Sequence, residues 1–346
     1  MPEAFIAAKA FIAGCRGAQL THTERDFFRE ANPWGFILFS RNCASPEQVY
    51  SLTQDLQDSV GRNAPVLIDQ EGGRVARLKP PHWSLFPPAQ IYGTLYEQDP
   101  ERGMEAVYLG ARLMAHELCT VGVNANCWPV LDVPVEGADP AIGDRAFGNN
   151  PDVVTALGRS AGAGLLEGSV LPVVKHIPGQ GRALRDTHKS SACISASTDE
   201  LLQTDWVPFR ALNDLPMAMT GHVTYEAIDS DNPATLSSLI IDSVIRDQIG
   251  FDGLLLSDDI SMRALSGDSA ERSLMALKAG CDVVVHCNGD LQEMAAIAGV
   301  APLLEGRAAH RAARALEQGT EVRDIESSAL IRRFETLMEG VWAPSP

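Results

Sequence analysis

The stretch Ser169–Ser190, "SVLPVVKHIPGQGRALRDTHKS", joins three kinds of sequence in one short span. Its first part is an apolar, β-branched run that reads as a buried strand. The run stops at the ionisable pair Lys175-His176. A bend follows through Pro178, Gly179 and Gly181, and then comes Asp186-Thr187-His188. A buried strand that ends on charge and hands over to a polar loop belongs to a fold that keeps its chemistry at strand ends.

The same pattern recurs on both sides. Short apolar runs are "WGFILFS", "APVLIDQ", "VGVNANCWPVLDV", "LPMAMTGHV", "FDGLLLSDD" and "GCDVVVHC", and "FIAGC" supplies a further strand at the start. Helical patterns lie between them, among them "SPEQVYSLTQDLQDSV", "NPDVVTALGRSAGAGLLEG", "STDELLQTDWVPFRALND" and "SAERSLMALKAG". Several open on good caps: Ser45-Pro46, Thr198-Asp199 and Ser269. Strand and helix in alternation predict parallel strands with crossover helices. The number of units predicts an α/β fold of the (β/α)₈ TIM-barrel type. A doubly wound open sheet is the competitor, but no GxGxxG or P-loop follows the first strand. From about Leu291 the chain is again helical. The expectation is one catalytic barrel domain over residues 1–346, with these C-terminal helices packed on it.

The chain has 346 residues, 45% of them hydrophobic, and a formal net charge of -17. The acidic surface repels phosphate backbones and anionic lipid heads, which argues against nucleic-acid and membrane partners. Nothing approaches the roughly 20 apolar residues that span a bilayer. "AFIAAKAFIAGC" ends in Cys15 a little like a lipoprotein cleavage site. Glu3 and Lys9 do not fit that pattern, so the segment reads as a first core element and the protein as cytoplasmic. Seven scattered cysteines with no CxxC pair read as free thiols.

The strand ends are polar in a way that core packing does not require. They carry Asp69-Gln70-Glu71, Asp132 with the loop "IGDRAFG", Lys175-His176, His222, Asp258-Asp259 and His286. Together they describe an ionisable crater, and hence an enzyme rather than a binding module. Adjacent side chains on an extended strand point to opposite faces, so one of Asp258 and Asp259 faces the barrel axis and the other has a structural task. Asp186 and His188 are spaced to pair. A paired carboxylate stabilises the imidazolium, as a proton donor near neutral pH requires, although a solvated loop ion pair has the same spacing. Gly179 and Gly181 would let the loop swing over the crater. A strand-end Asp opposite a proton donor is what retaining glycoside hydrolysis needs.

The motifs "LIDQEGGRVARL", "PVLDV", "IGDRAFG", "KHIPG", "DTH", "NPATLS" and "SDDISM" closely resemble the β-N-acetylhexosaminidases of glycoside hydrolase family 3. The likeness is to the single-domain, cytoplasmic bacterial enzymes of peptidoglycan recycling, and it runs in order from about Phe11 to Asn288. By that resemblance Asp258 is the nucleophile, His188 the mobile acid/base and Asp186 its partner. Asp69, Arg77, Arg145, Lys175 and His176 are the implied sugar-binding residues. Without the resemblance, Arg145 is equally placed for a loop-stabilising ion pair. The implied reaction removes terminal, non-reducing β-linked N-acetylglucosamine (GlcNAc) from cell-wall muropeptides. The resemblance implies no metal or organic cofactor, and it leans to a monomer. One departure stands out: Gly179-Gln180-Gly181 occupies the place where the family usually has Gly-His-Gly. Gln180 reads as a hydrogen-bonding residue, with proton transfer left to His188. Two other readings remain open. One is a metal-dependent barrel hydrolase using His176, His222, His286 and Asp258, since strand-end histidines are good zinc ligands. The other is a catalytically silent GlcNAc-binding paralogue.

Overall fold

The computed structural model describes residues 8–187, 190–319 and 327–343. Eleven strands run through them. Eight close into a parallel barrel: β1 (Lys9–Gly14), β2 (Pro33–Leu38), β3 (Val66–Ile68), β4 (Ala125–Asn126), β5 (Leu171–Ile177), β7 (Met217–Thr220), β10 (Leu254–Asp259) and β11 (Val283–His286). Each of the eight apolar runs predicted as strands overlaps one of them. The other three, β6 (Ala192–Ile194), β8 (Val223–Tyr225) and β9 (Asp229–Pro233), form a small separate sheet. The fold is a (β/α)₈ barrel.

Alternation along each strand divides the apolar residues between two cores. Ile12, Leu67, Val173, Leu254, Leu256 and Val285 fill the barrel interior. Their neighbours Phe11, Ile68, Val174, Leu255 and Val284 face the surrounding helices. A parallel strand buried on both faces must be apolar at every position, which is why these runs were legible. Only two residues pair in β4, where a long run was expected; Pro129, which has no N–H, interrupts the ladder.

The helices are α1 (His22–Ala31), α2 (Pro46–Val60), α3 (Ala89–Gln98), α4 (Pro100–Thr120), α5 (Pro151–Glu167), α6 (Thr198–Gln203), α7 (Trp206–Ala211), α8 (Ser269–Ala279), α9 (Leu291–Val300), α10 (Gly306–Glu317) and α11 (Ser327–Met338), with a π-type helix at Ile240–Gln248. Ser45 caps α2, with Pro46 in its first turn. The caps of α6 and α8 lie one residue earlier than expected, at Ser197 and Asp268. The stretch read as one helix from Ser197 breaks at Thr204-Asp205. Pro208 sits in the first turn of α7, the position where a missing N–H is tolerated. Helix α9 packs on β1, α10 on β10 and α11 on α4. Among the described residues no helix is long and apolar enough to cross a membrane. All seven cysteines are free thiols and Cys193 alone is exposed; burial pushes Cys15 and Cys281 up to about 12.

Candidate active site

The C-terminal ends of the barrel strands surround a polar cavity of about 270 Å³. Asp69, Arg77, Arg145, Lys175, His176, Asp186 and Asp258, all singled out in the sequence, line it. His188 lies outside the described residues.

The floor is an ion-pair chain. Lys175 Nζ donates to Asp69 Oδ1 at 2.8 Å and reaches Glu71 Oε1 at 2.7 Å. Arg77 Nη2 donates to Asp69 Oδ2 at 2.9 Å. Arg145 clasps Glu71 with two bonds of 2.8 Å, from Nε to Oε2 and from Nη2 to Oε1. Burial alone would push both carboxyls up. Lys175 and Arg77 outweigh it at Asp69 and hold that group well below the usual carboxylate range, while Arg145 and Lys175 hold Glu71 at about 2. Burial would lower Lys175, but Asp69 and Glu71 raise it above the usual amine range. Asp69, Glu71 and Lys175 are therefore all charged at neutral pH.

Local structure aims these side chains. Gln70 closes the loop after β3: its Oε1 accepts from Arg77 N and Leu78 N, and its Nε2 donates to Leu78 O. Within that loop Gly72 has φ +97°, and a Cβ there would lie 2.3 Å from Pro87 O. The loop thus brings Asp69, Glu71 and Arg77 to one wall. Arg74 ties down the facing loop, donating to Asp144 Oδ1 at 2.7 Å and to the carbonyls of Pro140, Ala141 and Ile142. That facing loop carries Arg145.

Lys175 and His176 both line the cavity although they are adjacent. The β5–β7 register shifts between Lys175 and Ile177, which breaks the strict alternation of a regular strand. His176 Nδ1 sits 2.7 Å from Asp132 Oδ2, and Asp132 Oδ1 also accepts from Gln180 N at 2.7 Å. A carboxylate only accepts here, so it fixes the proton on Nδ1.

A similar irregularity, between Leu256 and Asp259, marks the end of β10. Both aspartates there touch the cavity, where strict alternation predicted one. Their tasks still divide. The Asp259 carboxylate accepts from Ser261 N at 3.0 Å, Ser261 Oγ at 2.6 Å and Cys287 N at 3.1 Å, so it holds the turn. Asp258 Oδ1 accepts from Asp259 N at 2.7 Å. Buried His222 donates from Nε2 to Asp259 O at 3.0 Å and accepts at Nδ1 from Thr235 Oγ1 at 2.7 Å; burial lowers its pKa, so the ring is neutral.

The loop that leads to Asp186 is pinned at its base. Tyr225 Oη donates to Gly179 O, Val135 N to Gly181 O at 3.3 Å, and Asp139 N to Ala183 O at 2.9 Å. Arg182 is held by Asp205 Oδ2 at 2.7 Å. The two glycines serve close packing here: a Cβ on Gly181 would meet Val133 O at 2.2 Å. Exposure begins beyond Ala183, with Leu184 68% exposed. Gln180 is buried, and its Oε1 has no partner among the described residues.

Glu71 and Asp132 were read as strand-end residues of the crater but given no role, and Arg74 was not read as a site residue. Glu71 did leave one signal: it stands two positions after Asp69, on the same face of an extended chain. Among the described residues no three His, Cys, Asp or Glu side chains are grouped to hold a metal ion, and His286 Nε2 is paired with Glu293 at 2.8 Å.

Comparison with known proteins bears on this geometry. The family description "Glycosyl hydrolase family 3 N terminal domain" matches residues 9–318. A beta-hexosaminidase of Methylococcus capsulatus is 39% identical over 276 residues, 79% of this chain and 80% of its own. NagZ from Neisseria gonorrhoeae, solved with N-trifluoroacetyl-D-glucosamine, superposes with a TM-score of 0.87 at 27% identity, covering 96% of this chain and 98% of that one. A family 3 beta-N-acetylglucosaminidase from Paenibacillus sp. gives 0.79 at 27% identity, covering 97% of this chain and 63% of that one. With a strand-end crater of the expected residues and a family match over most of its length, the chain belongs to glycosyl hydrolase family 3 and is a glycoside hydrolase.

Proposed function

We propose that the protein is a retaining exo-β-N-acetylglucosaminidase that releases terminal GlcNAc from peptidoglycan-derived muropeptides. The observation that carries the reading is the convergence of Asp258 and Asp186 on a cavity whose floor is the Asp69–Lys175–Glu71–Arg145 chain. Asp69 accepts from sugar hydroxyls. Lys175, with two of its N–H groups committed to Asp69 and Glu71, has a third to donate, and Arg77 donates beside it. His176, with its proton held on Nδ1 by Asp132, offers Nε2 as an acceptor. Charged donors in a partly dry cavity bind hydroxyls strongly and fix the ring for attack.

Asp258 attacks the anomeric carbon, and the bond from that carbon to the leaving oxygen breaks. His188, its imidazolium stabilised by Asp186, gives its proton to that oxygen. Water then attacks the same carbon and yields a proton to His188, and the Asp258 ester bond breaks. Two inversions give net retention.

A 5-fluoro GlcNAc donor that traps the glycosyl-enzyme tests this step by mass spectrometry. A peptide glycosylated at Asp258 is expected. Labelling of any other residue, or turnover with no trapped species, overturns the covalent role. Asp258→Ala should lower turnover by several orders of magnitude. His188→Ala should slow substrates with poor leaving groups far more than activated aryl glycosides; equal losses for both would refute the acid role.

A further inference from the structure

Beside the cavity, bonded to the main chain of one of its lining residues, stands a cation that the sugar-binding reading does not use. Arg41 follows β2, is exposed, and sits between two other strand ends. Its Nε donates to Cys15 O at 3.0 Å, just past β1, and its Nη2 donates to the carbonyl of Cys287, just past β11. Cys287 lines the cavity beside Asp258 and Asp259. The guanidinium also lies over the Phe39 ring, 5.1 Å from its centroid, and Arg77 lies against the same ring at 5.0 Å. Phe39 thus links Arg41 directly to the wall that holds Asp69.

Three features separate Arg41 from an ordinary surface arginine. It is fixed by two main-chain carbonyls and an aromatic face, so little side-chain entropy remains to be lost on binding. It faces no carboxylate within ion-pair distance among the described residues, in a chain where acidic residues outnumber basic ones by 45 to 28. The arginines that line the cavity each have one: Arg74 pairs with Asp144, Arg77 with Asp69 and Arg145 with Glu71. The remaining Arg41 N–H groups are a fork suited to a carboxylate.

We propose that Arg41 and Phe39 form a rim subsite for a carboxylate carried by the aglycone, so that the enzyme prefers β-GlcNAc linked to an anionic group. This rests on the hydrolase reading above and specifies the leaving part of its substrate. The Phe39 ring supplies an apolar backing, and the Arg41 fork binds the charge.

The test compares GlcNAc β-1,4-linked to N-acetylmuramic acid with the methyl ester of the same disaccharide, which has no charge. A third substrate, in which a dipeptide is amide-linked at that carboxyl, moves the charge outward. The readout is the ratio of kcat/KM for acid over ester. Wild type should favour the acid about fivefold, the scale of one well-placed exposed charge contact, and the preference should shrink in high salt. Arg41→Met should bring the ratio close to one, and Arg41→Lys should retain part of the preference. A dipeptide substrate that behaves like the acid shows that the subsite also accepts a charge carried further out on the peptide; one that behaves like the ester confines recognition to a charge on the sugar. A wild-type ratio near one, or a ratio that Arg41→Met does not change, overturns the subsite. Failure of the wild type to hydrolyse all three and an aryl β-GlcNAc would instead overturn the hydrolase reading.

Discussion

Lys175 is a charged amine 2% exposed, and that burial constrains its neighbours. An ammonium taken from water without partners is strongly disfavoured, so Asp69 and Glu71 hold the site together as well as shape it. Glu71→Gln would leave Lys175 and Arg145 short of charge, and a loss of about 3–5 kcal/mol in unfolding free energy at pH 7 is expected by chemical denaturation. The pH dependence has a definite sign. Glu71 titrates at about 2 when folded, against an ordinary 4.5. Its contribution is complete above 4.5 and is lost as pH falls from there toward 2, where the unfolded chain binds the proton more readily. The wild type should therefore lose stability steeply over that window, and Glu71→Gln should show a shallower slope. Asp69, Lys175 and His176 were legible because they stand at the ends of apolar runs, whereas Arg77 was named only through the family resemblance. Glu71 was seen at the same strand end, but nothing in the sequence gave it a task there. Its partners cannot be found by local pattern: Arg145 lies 74 positions away, and Asp69 and Lys175 are 106 apart.

At the scale of elements, loops reach the cavity because helices let them approach. A Cβ on Gly93 in α3 would sit 1.6 Å from Phe147 O, on the loop that carries Arg145, and Phe147 itself packs on Trp128 with centroids 5.9 Å apart. Alanine normally favours a helix over glycine by about 1 kcal/mol. Gly93→Ala should do the opposite, costing about 1–3 kcal/mol by displacing the loop, and turnover should fall with it. Gly299 in α9 is the control, since a Cβ there meets nothing within 4 Å. Gly299→Ala should be neutral or mildly stabilising in thermal melts, with activity intact. The barrel strands were readable as elements because burial on both faces demands unbroken apolar sequence. The β6–β8–β9 sheet was not, since "DSDNP" in β9 is polar and half-exposed and looks like a loop. The breaks in alternation at β5 and β10 were also invisible: nothing in "VVKHI" or "LLLSDD" announces a shift of register set by the neighbouring strand.

For the molecule as a whole, the closed barrel removes sheet edges and concentrates ionisable groups at one mouth. The repeated strand–helix alternation carried that architecture in plain view; the small sheet, laid beside the loop that leads to Asp186, is what local patterns concealed. That sheet has a practical consequence. Cys193, at the centre of β6, is the exposed thiol of a protein whose six other cysteines are wholly or partly covered. A maleimide dye should therefore couple there first, as a single mass addition in a tryptic map, without mutagenesis. The probe would stand five residues downstream of His188. Its fluorescence would offer an optical gauge of the proposed acid/base segment while sugars bind and leave.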